Sequence, residues 1–339
     1  MTKAVIVGCG NIASRYAADL LAAGLVDLVG FQDIDPERSA RFATEFGGQS
    51  FETLDTAIEA AELILNLTIF ESHYEVSRAA LSRGRHVYSE KPLALRLDHA
   101  VELAGLAAAN GAHLGAAPFT FLGESQATAL EWVRSGRLGR VRLAYAEVNH
   151  GRIETWHPNP APFYAVGPML DVGVYPLAIL IVAFGSVHRL QAVSSTINDR
   201  RVTVDGAPFT PGSPDYWLVD LEHGDGVKVR LTVNFYVKGD EGIVFHGDDG
   251  SLQLDSWFVP NSAVTHIPYE GDPEPVVPDG EEVEVDWSLG VREFVRGIET
   301  GEPSQLSTER AVHLVAVLDA ITRSGASGEP VMVDPVIPS

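Results

Sequence analysis

Through the first third of the chain, short apolar runs alternate with stretches whose apolar positions recur every three or four residues. Lys3–Val7 is an apolar run of strand length. Asn11–Ala23 follows with a helical period, and Gly24 is the residue type that ends a helix in the left-handed conformation. Leu25–Asp33 reads as a second strand. Asp35, Pro36 and Glu37 then make a helix start: a capping carboxylate, a proline at the first helical position and an acid in the first turn. That helix closes at Gly47. Gln49–Phe51, Leu63–Leu67 and His86–Ser89 continue the strands, with a helix over Ser72–Arg83 and another, rich in Ala and Leu, running to Asn110. This alternation predicts a doubly wound parallel sheet, since parallel neighbours need crossovers of this length.

Beyond about residue 118 the period changes. Glu124–Ser135 is helical. Val172–Gly185 is an apolar run containing Pro176, too short to cross a membrane and read as a buried helix. Arg140–Asn149, Arg189–Thr196, Tyr216–His223, Lys228–Asn234 and Leu252–Phe258 read as strands. The turn pairs Asp205-Gly206, Asp225-Gly226 and Asp249-Gly250 lie among them, which predicts a large, mostly antiparallel sheet. Glu270–Glu282, rich in Pro, Gly and acid, reads as an exposed loop, and helices over Trp287–Thr300 and Ser307–Arg323 follow. The expected fold is α/β, with one domain over 1–120 and an α+β domain over 121–339 whose last helix packs back on the first domain.

A chain of 339 residues exceeds what one core ordinarily serves, in keeping with two domains. Its 24 Lys and Arg against 46 Asp and Glu leave a net charge of −22, the wrong sign for a nucleic-acid or anionic-membrane partner. Cys9 is the only cysteine, so no intramolecular disulfide can form, and the 11 histidines show no metal-ligand spacing. No metal site is expected. With no signal-peptide pattern before Lys3, the expected location is cytoplasmic.

Gly8-Cys9-Gly10-Asn11-Ile12-Ala13 stands where the first strand hands over to the first helix, the context of a Rossmann dinucleotide-binding turn. Gly8 permits the tight turn, and Gly10 lets the backbone approach a pyrophosphate. Small Ala13 lets the helix pack close, and the N–H groups at Asn11 and Ile12 begin the helix that faces the phosphates. Asp33, some 25 residues beyond Gly8, is placed to accept from the adenosine ribose and to repel a 2′-phosphate. Ile34 offers such a phosphate no cation. NAD is therefore the expected cofactor in preference to NADP, and Asp35 reads as a helix cap.

Ser89-Glu90-Lys91-Pro92-Leu93-Ala94 follows the fifth strand. A lysine at the carboxyl end of a parallel strand borders the crevice where such sheets bind ligands. Its ammonium stabilises a substrate oxygen that is losing its proton, and Pro92 restricts the Lys91 backbone. Asn66-Leu67-Thr68 with His73 follow the fourth strand, and Gly167-Pro168-Met169-Leu170-Asp171-Val172-Gly173-Val174-Tyr175-Pro176 lies in the second domain. On these motifs the chain resembles the Gfo/Idh/MocA family of oxidoreductases over nearly its whole length. The resemblance implies that Glu90 and Lys91 lie near the nicotinamide ribose and that Leu67, Thr68 and His73 belong to the cofactor site. It also implies homodimers or homotetramers formed through the C-terminal sheet.

Asp171 and Tyr175 are four residues apart and share a face if their segment is helical. Many family members carry His at the place of Tyr175; Tyr occurs in the branch similar to dihydrodiol and some sugar dehydrogenases. A phenol titrates near pH ~10 and needs a cation to serve as a base, so a Lys91–Tyr175 pair is expected, with Asp171 orienting substrate or Lys91. Ala178 stands where His-bearing members often carry a second acid, which weakens an inositol-dehydrogenase-like assignment. Trp156, His157 and Asn159, in a proline-stiffened connection, are candidate substrate contacts: a platform for a sugar ring and two hydrogen-bonding groups. The expected activity is hydride transfer between nicotinamide C4 and a carbinol or carbonyl carbon of a sugar, cyclitol or related polyol. Two alternatives use the same residues: a glycosidase of this fold that retains its NAD, and a catalytically silent NAD-sensing regulator.

Overall fold

Four consecutive buried residues, Ala4 to Val7, mark the first strand as one covered on both faces, as the centre of a parallel sheet must be. The computed structural model describes residues 1–239 and 241–334, and the chain divides into two units. The first comprises Met1–Phe119 and Asp286–Val315. Its leading part runs β1 (Lys3–Val7), α1 (Asn11–Ala23), β2 (Asp27–Gln32), α2 (Pro36–Phe46), β3 (Gln49–Phe51), α3 (Leu54–Ala60), β4 (Leu63–Asn66), α4 (His73–Leu81), β5 (His86–Ser89), α5 (Leu97–Ala109) and β6 (Leu114–Ala116). All six strands are parallel, in the order β3-β2-β1-β4-β5-β6. The direction of growth reverses between β1 and β4, and the carboxyl ends of strands at such a reversal border the ligand crevice of this sheet type.

Local chemistry explains the elements that frame this point. Gly24 ends α1 at φ 58°, its N–H donating to the Leu21 carbonyl. Asp35 caps α2 by accepting from the Glu37 N–H, with Pro36 at the first position. Two elements here escaped the sequence reading. α3 is a seven-residue helix opened by a Thr53–Thr56 capping box, and β6 has three residues.

The second unit is Thr120–Val285 with the chain from Ala316 onward. It contains α6 (Glu124–Arg134), β7 (Val141–Asn149), α7 (Ala161–Val166), α8 (Val174–Phe184), β8 (Val187–Ser195), β9 (Arg201–Val202), β10 (Pro208–Phe209), β11 (Tyr216–His223), β12 (Lys228–Asn234), β13 (Ile243–Gly247), β14 (Gly250–Leu254), β15 (Val264–Pro268) and β16 (Glu274–Val277). Then come α9 (Ser288–Thr300), in the first unit, α10 (Thr308–Ser327), and β17 (Val331–Met332). Nine strands form one sheet in the order β16-β15-β14-β13-β7-β12-β11-β8-β17. Only β7 and β12 pair in parallel within it, so the sheet is mixed and mostly antiparallel. The expected loop Glu270–Glu282 contains β16, an edge strand whose exposed Glu274 and Pro275 suit an edge. The strand expected over Leu252–Phe258 is Gly250–Leu254, because the Asp248–Asp249 turn starts it earlier.

Candidate active site

The glycine turn is held by glycine itself. Gly8 has φ +93°, and a Cβ there would lie 2.7 Å from the Leu67 carbonyl and the Thr68 nitrogen, so the ends of β1 and β4 approach this closely only with hydrogen at that position. Gly10 differs: it caps α1 in an extended conformation with no side-chain hydrogen bond, and an added Cβ would meet nothing within 4 Å. The start of α1, at Asn11 and Ile12, thus opens on a space that a side chain would fill, bordered by helix N–H groups. That is the fit a pyrophosphate requires.

Asp33, 8% exposed, lies just past β2. Its Oδ2 accepts from the Cys9 N–H at 2.7 Å and its Oδ1 from the Asp35 N–H at 2.8 Å. The carboxylate ties the glycine turn to the second strand, and each oxygen retains acceptor capacity for a ribose hydroxyl. Ile34 beside it is 97% exposed. Burial, and next the Asp33 charge, push the Cys9 thiol up to about 12.

After β4, Asn66 organises the next loop: its amide donates to the His73 carbonyl at 2.9 Å, and its Oδ1 accepts from the Thr68 hydroxyl at 2.7 Å. Leu67 is buried. His73 is fully buried, with Nδ1 2.7 Å from the Pro92 carbonyl and Nε2 3.1 Å from the Thr68 carbonyl. Its ring braces the loop after β4 against the loop after β5, so the part it plays in a cofactor site runs through those loops.

After β5, Glu90 and Lys91 are each 8% exposed. Glu90 Oε1 accepts from the Tyr16 hydroxyl at 2.7 Å and Oε2 from the Lys91 N–H at 3.1 Å. The Lys91 ammonium stands 5.5 Å from the centre of the Phe70 ring, and the Lys91–Pro92 peptide is cis. Tyr16 was not singled out in the sequence, where it reads as one more inward residue of α1.

In the second unit, Asp171 does not lie on the α-helix that its spacing to Tyr175 predicts. Met169–Gly173 is a π-helical turn that leads into α8. Pro176 supplies the physical reason: it has no N–H to give the Val172 carbonyl four residues earlier, and the turn before it widens. From Val172 to Val182, Tyr175 is the one residue that is not buried. Its ring stacks on Trp257 at 5.3 Å and meets Phe258 edge-on at 5.4 Å, two aromatics the sequence reading did not connect to it.

Trp156 is 57% exposed, and Asn159 is also exposed. His157 packs on Phe163 at 4.9 Å and accepts the Asn159 N–H through Nδ1 at 3.1 Å, which leaves Nε2 as its donor. Two residues before Trp156, Glu154 is anchored in a buried network that the sequence did not reveal. Arg201 gives one nitrogen to Glu154 at 2.7 Å and to the Tyr164 hydroxyl at 2.8 Å, and the other to Asp215. Tyr164 in turn donates to Glu154, and burial followed by that bond pushes its phenol above the ordinary range. Among the described residues, no group of three or more His, Cys, Asp or Glu is placed to hold a metal ion, and no helix is long and apolar enough to cross a membrane.

A parallel sheet with a glycine-lined helix start at its reversal point, an acid at the end of β2 and a lysine at the end of β5 defines a dinucleotide-dependent oxidoreductase. Residues 2–117 match the oxidoreductase family described as GFO_IDH_MocA, NAD-binding Rossmann fold, and residues 127–253 match the GFO/IDH/MocA C-terminal domain. The chain belongs to the Gfo/Idh/MocA family. The dTDP-3,4-didehydro-2,6-dideoxy-alpha-D-glucose 3-reductase of Streptomyces antibioticus is 28% identical over 325 residues, 90% of this chain and 91% of that protein. The glucose-6-phosphate 3-dehydrogenase of Bacillus subtilis (strain 168) is 37% identical over 100 residues, which are 30% of this chain and 29% of that protein. Among solved structures, an NAD binding oxidoreductase from Klebsiella pneumoniae superposes with a TM-score of 0.87 at 18% identity, over 98% of this chain and 99% of that one. The likeness is one of fold.

Proposed function

We propose that the protein is an NAD-dependent dehydrogenase or reductase acting on a ring carbinol or carbonyl of a sugar, cyclitol or related polyol. The observation that carries this reading is Lys91: a nearly buried ammonium at the carboxyl end of β5, on a motif whose neighbouring carboxylate is held by two donors. Bound NAD supplies the hydride acceptor at nicotinamide C4. The protein's residues do the rest. Gly8, Gly10, Asn11 and Ile12 receive the pyrophosphate, Asp33 receives the adenosine ribose, and Glu90 orients the nicotinamide ribose. Leu67 and Thr68 line the same cofactor site, and His73 holds their loop. Lys91 donates to the substrate oxygen and stabilises its developing charge; Tyr175 accepts the hydroxyl proton and Asp171 orients the substrate. Trp156 offers a ring platform, with His157 Nε2 and Asn159 as hydrogen-bonding groups.

NAD is preferred to NADP because the Asp33 carboxylate meets the position of a 2′-phosphate and Ile34 brings no cation to it. Both relatives are named for chemistry at position 3 of a hexose derivative, which supports a ring carbinol as the reacting group. A cytoplasmic homodimer or homotetramer is the state inferred from the resemblance. The wet face of the nine-stranded sheet, which carries Leu143 and Val193 at 38% and 57% exposure, supports that inference.

A panel of free sugars, hexose phosphates, dTDP-hexoses and inositols, offered with NAD and with NADP and followed by the absorbance of reduced nicotinamide, tests the reading. Net NADH formation from a member of the panel is the expected result. Release of an aglycone without net redox change, or tight NAD binding with no turnover across the panel, overturns it.

A further inference from the structure

The carboxylate of Glu90 is nearly buried, and the oxygens of a buried carboxylate call for hydrogen-bond donors. Two donors are in place. One is the N–H of Lys91; the other, at 2.7 Å, is the hydroxyl of Tyr16, a residue far away in sequence on α1. Tyr16 is itself 0% exposed, its ring wedged among Tyr88 at 6.2 Å, Phe119 at 6.5 Å and Trp287 at 5.5 Å between ring centres. Three aromatic rings therefore fix where its hydroxyl sits, and the Tyr88 hydroxyl lies 3.3 Å from it. α9 closes the cluster: a Cβ at Gly290 would collide with the Tyr88 hydroxyl and lie within 3 Å of Phe119. None of this is needed to fill a core, which a phenylalanine at position 16 would do as well.

We propose that Tyr16 is a positioning residue of the redox site, holding the Glu90 carboxylate aimed at the nicotinamide ribose from the same helix whose first turn receives the pyrophosphate. The proposal rests on the reading of Glu90 given above. α1 then serves the cofactor twice: through Gly10 and Asn11 at its start, and through Tyr16 five residues beyond Asn11. Burial, and next the Glu90 charge, keep the Tyr16 phenol well above its ordinary range, so it remains a donor wherever the enzyme is folded. Tyr88 from β5, Lys91 beside it in the chain and His73 from α4 also lie around Glu90. Removing the Tyr16 donor leaves Oε1 of a nearly buried carboxylate without that partner and its orientation no longer fixed from α1.

The test uses Tyr16→Phe, Glu90→Gln and the double variant, each as the full chain with its fold checked by thermal melting. NADH affinity, read from nicotinamide fluorescence, and the separate kcat and KM values are followed in all three. In Tyr16→Phe NADH affinity is expected to fall roughly tenfold, the scale of one hydrogen bond to a charged group, with the melting temperature near parental. In the Glu90→Gln background the same Tyr16→Phe change is expected to lower affinity no further. Unchanged NADH affinity in Tyr16→Phe overturns the proposal, as does a loss that persists undiminished in the Glu90→Gln background, since a merely structural tyrosine would behave so. If Glu90→Gln alone leaves NADH affinity at the parental value, the underlying placement of Glu90 fails, which is a different result from the failure of Tyr16→Phe against a responsive Glu90.

Discussion

Replacing Arg201 by Met removes a guanidinium that is 2% exposed and leaves Glu154 and Asp215, at 6% and 0% exposure, without their counter-charge. Breaking a buried ion pair from one side costs about 3–5 kcal/mol, because the orphaned carboxylates keep their desolvation penalty. For a unit of this size that is roughly 10 °C in melting temperature. Calorimetric melts of parent and variant measure the loss. A deficit below about 1 kcal/mol refutes the assignment of Arg201 as the counter-charge of these two carboxylates.

Four further outcomes follow from the structure. Gly10→Val should leave the melting temperature near parental, since a Cβ there meets nothing within 4 Å, yet weaken NADH binding roughly tenfold or more; Gly8→Ala should instead destabilise the first unit by about 2 kcal/mol, through its positive φ and the collision with Leu67 and Thr68. Asp33→Ser should raise the NADP-to-NAD ratio of kcat/KM by roughly tenfold, and an unchanged ratio would show that the carboxylate does not meet the ribose. His223, pushed down to about 4 by burial, is bound neutral, so its contribution is present above the unfolded value near 6.5 and lost as pH falls toward 4; His223→Gln should flatten the acid limb of the stability profile measured by urea titration.

What the sequence disclosed was local. Gly8, Gly10, Gly24 and the Asp35-Pro36 cap announce themselves because turns and caps impose residue types within a few positions. The parallel sheet followed from alternation, and the long sheet from strands without helices between them. The misses have physical reasons too. α3 is two turns long and too short for a period to show, although its Thr53–Thr56 box was there to be read. The π-helical turn at Asp171 depends on the missing N–H of Pro176, which a spacing argument between Asp171 and Tyr175 does not weigh. Glu154, Tyr164, Arg201 and Asp215 meet only because four separate stretches of chain converge, and no motif links them. Tyr16 looks in sequence like any aromatic on a buried helix face; only its partner, Glu90, distinguishes it.

The central claim is that Lys91 handles the substrate oxygen while other residues hold the cofactor. Lys91→Ala, with the substrate found in the panel, tests it most directly by turnover and by NADH affinity on the same preparation. Turnover should fall roughly 10²–10³-fold with NADH affinity within about threefold of the parent. Turnover retained near the parental rate would contradict it.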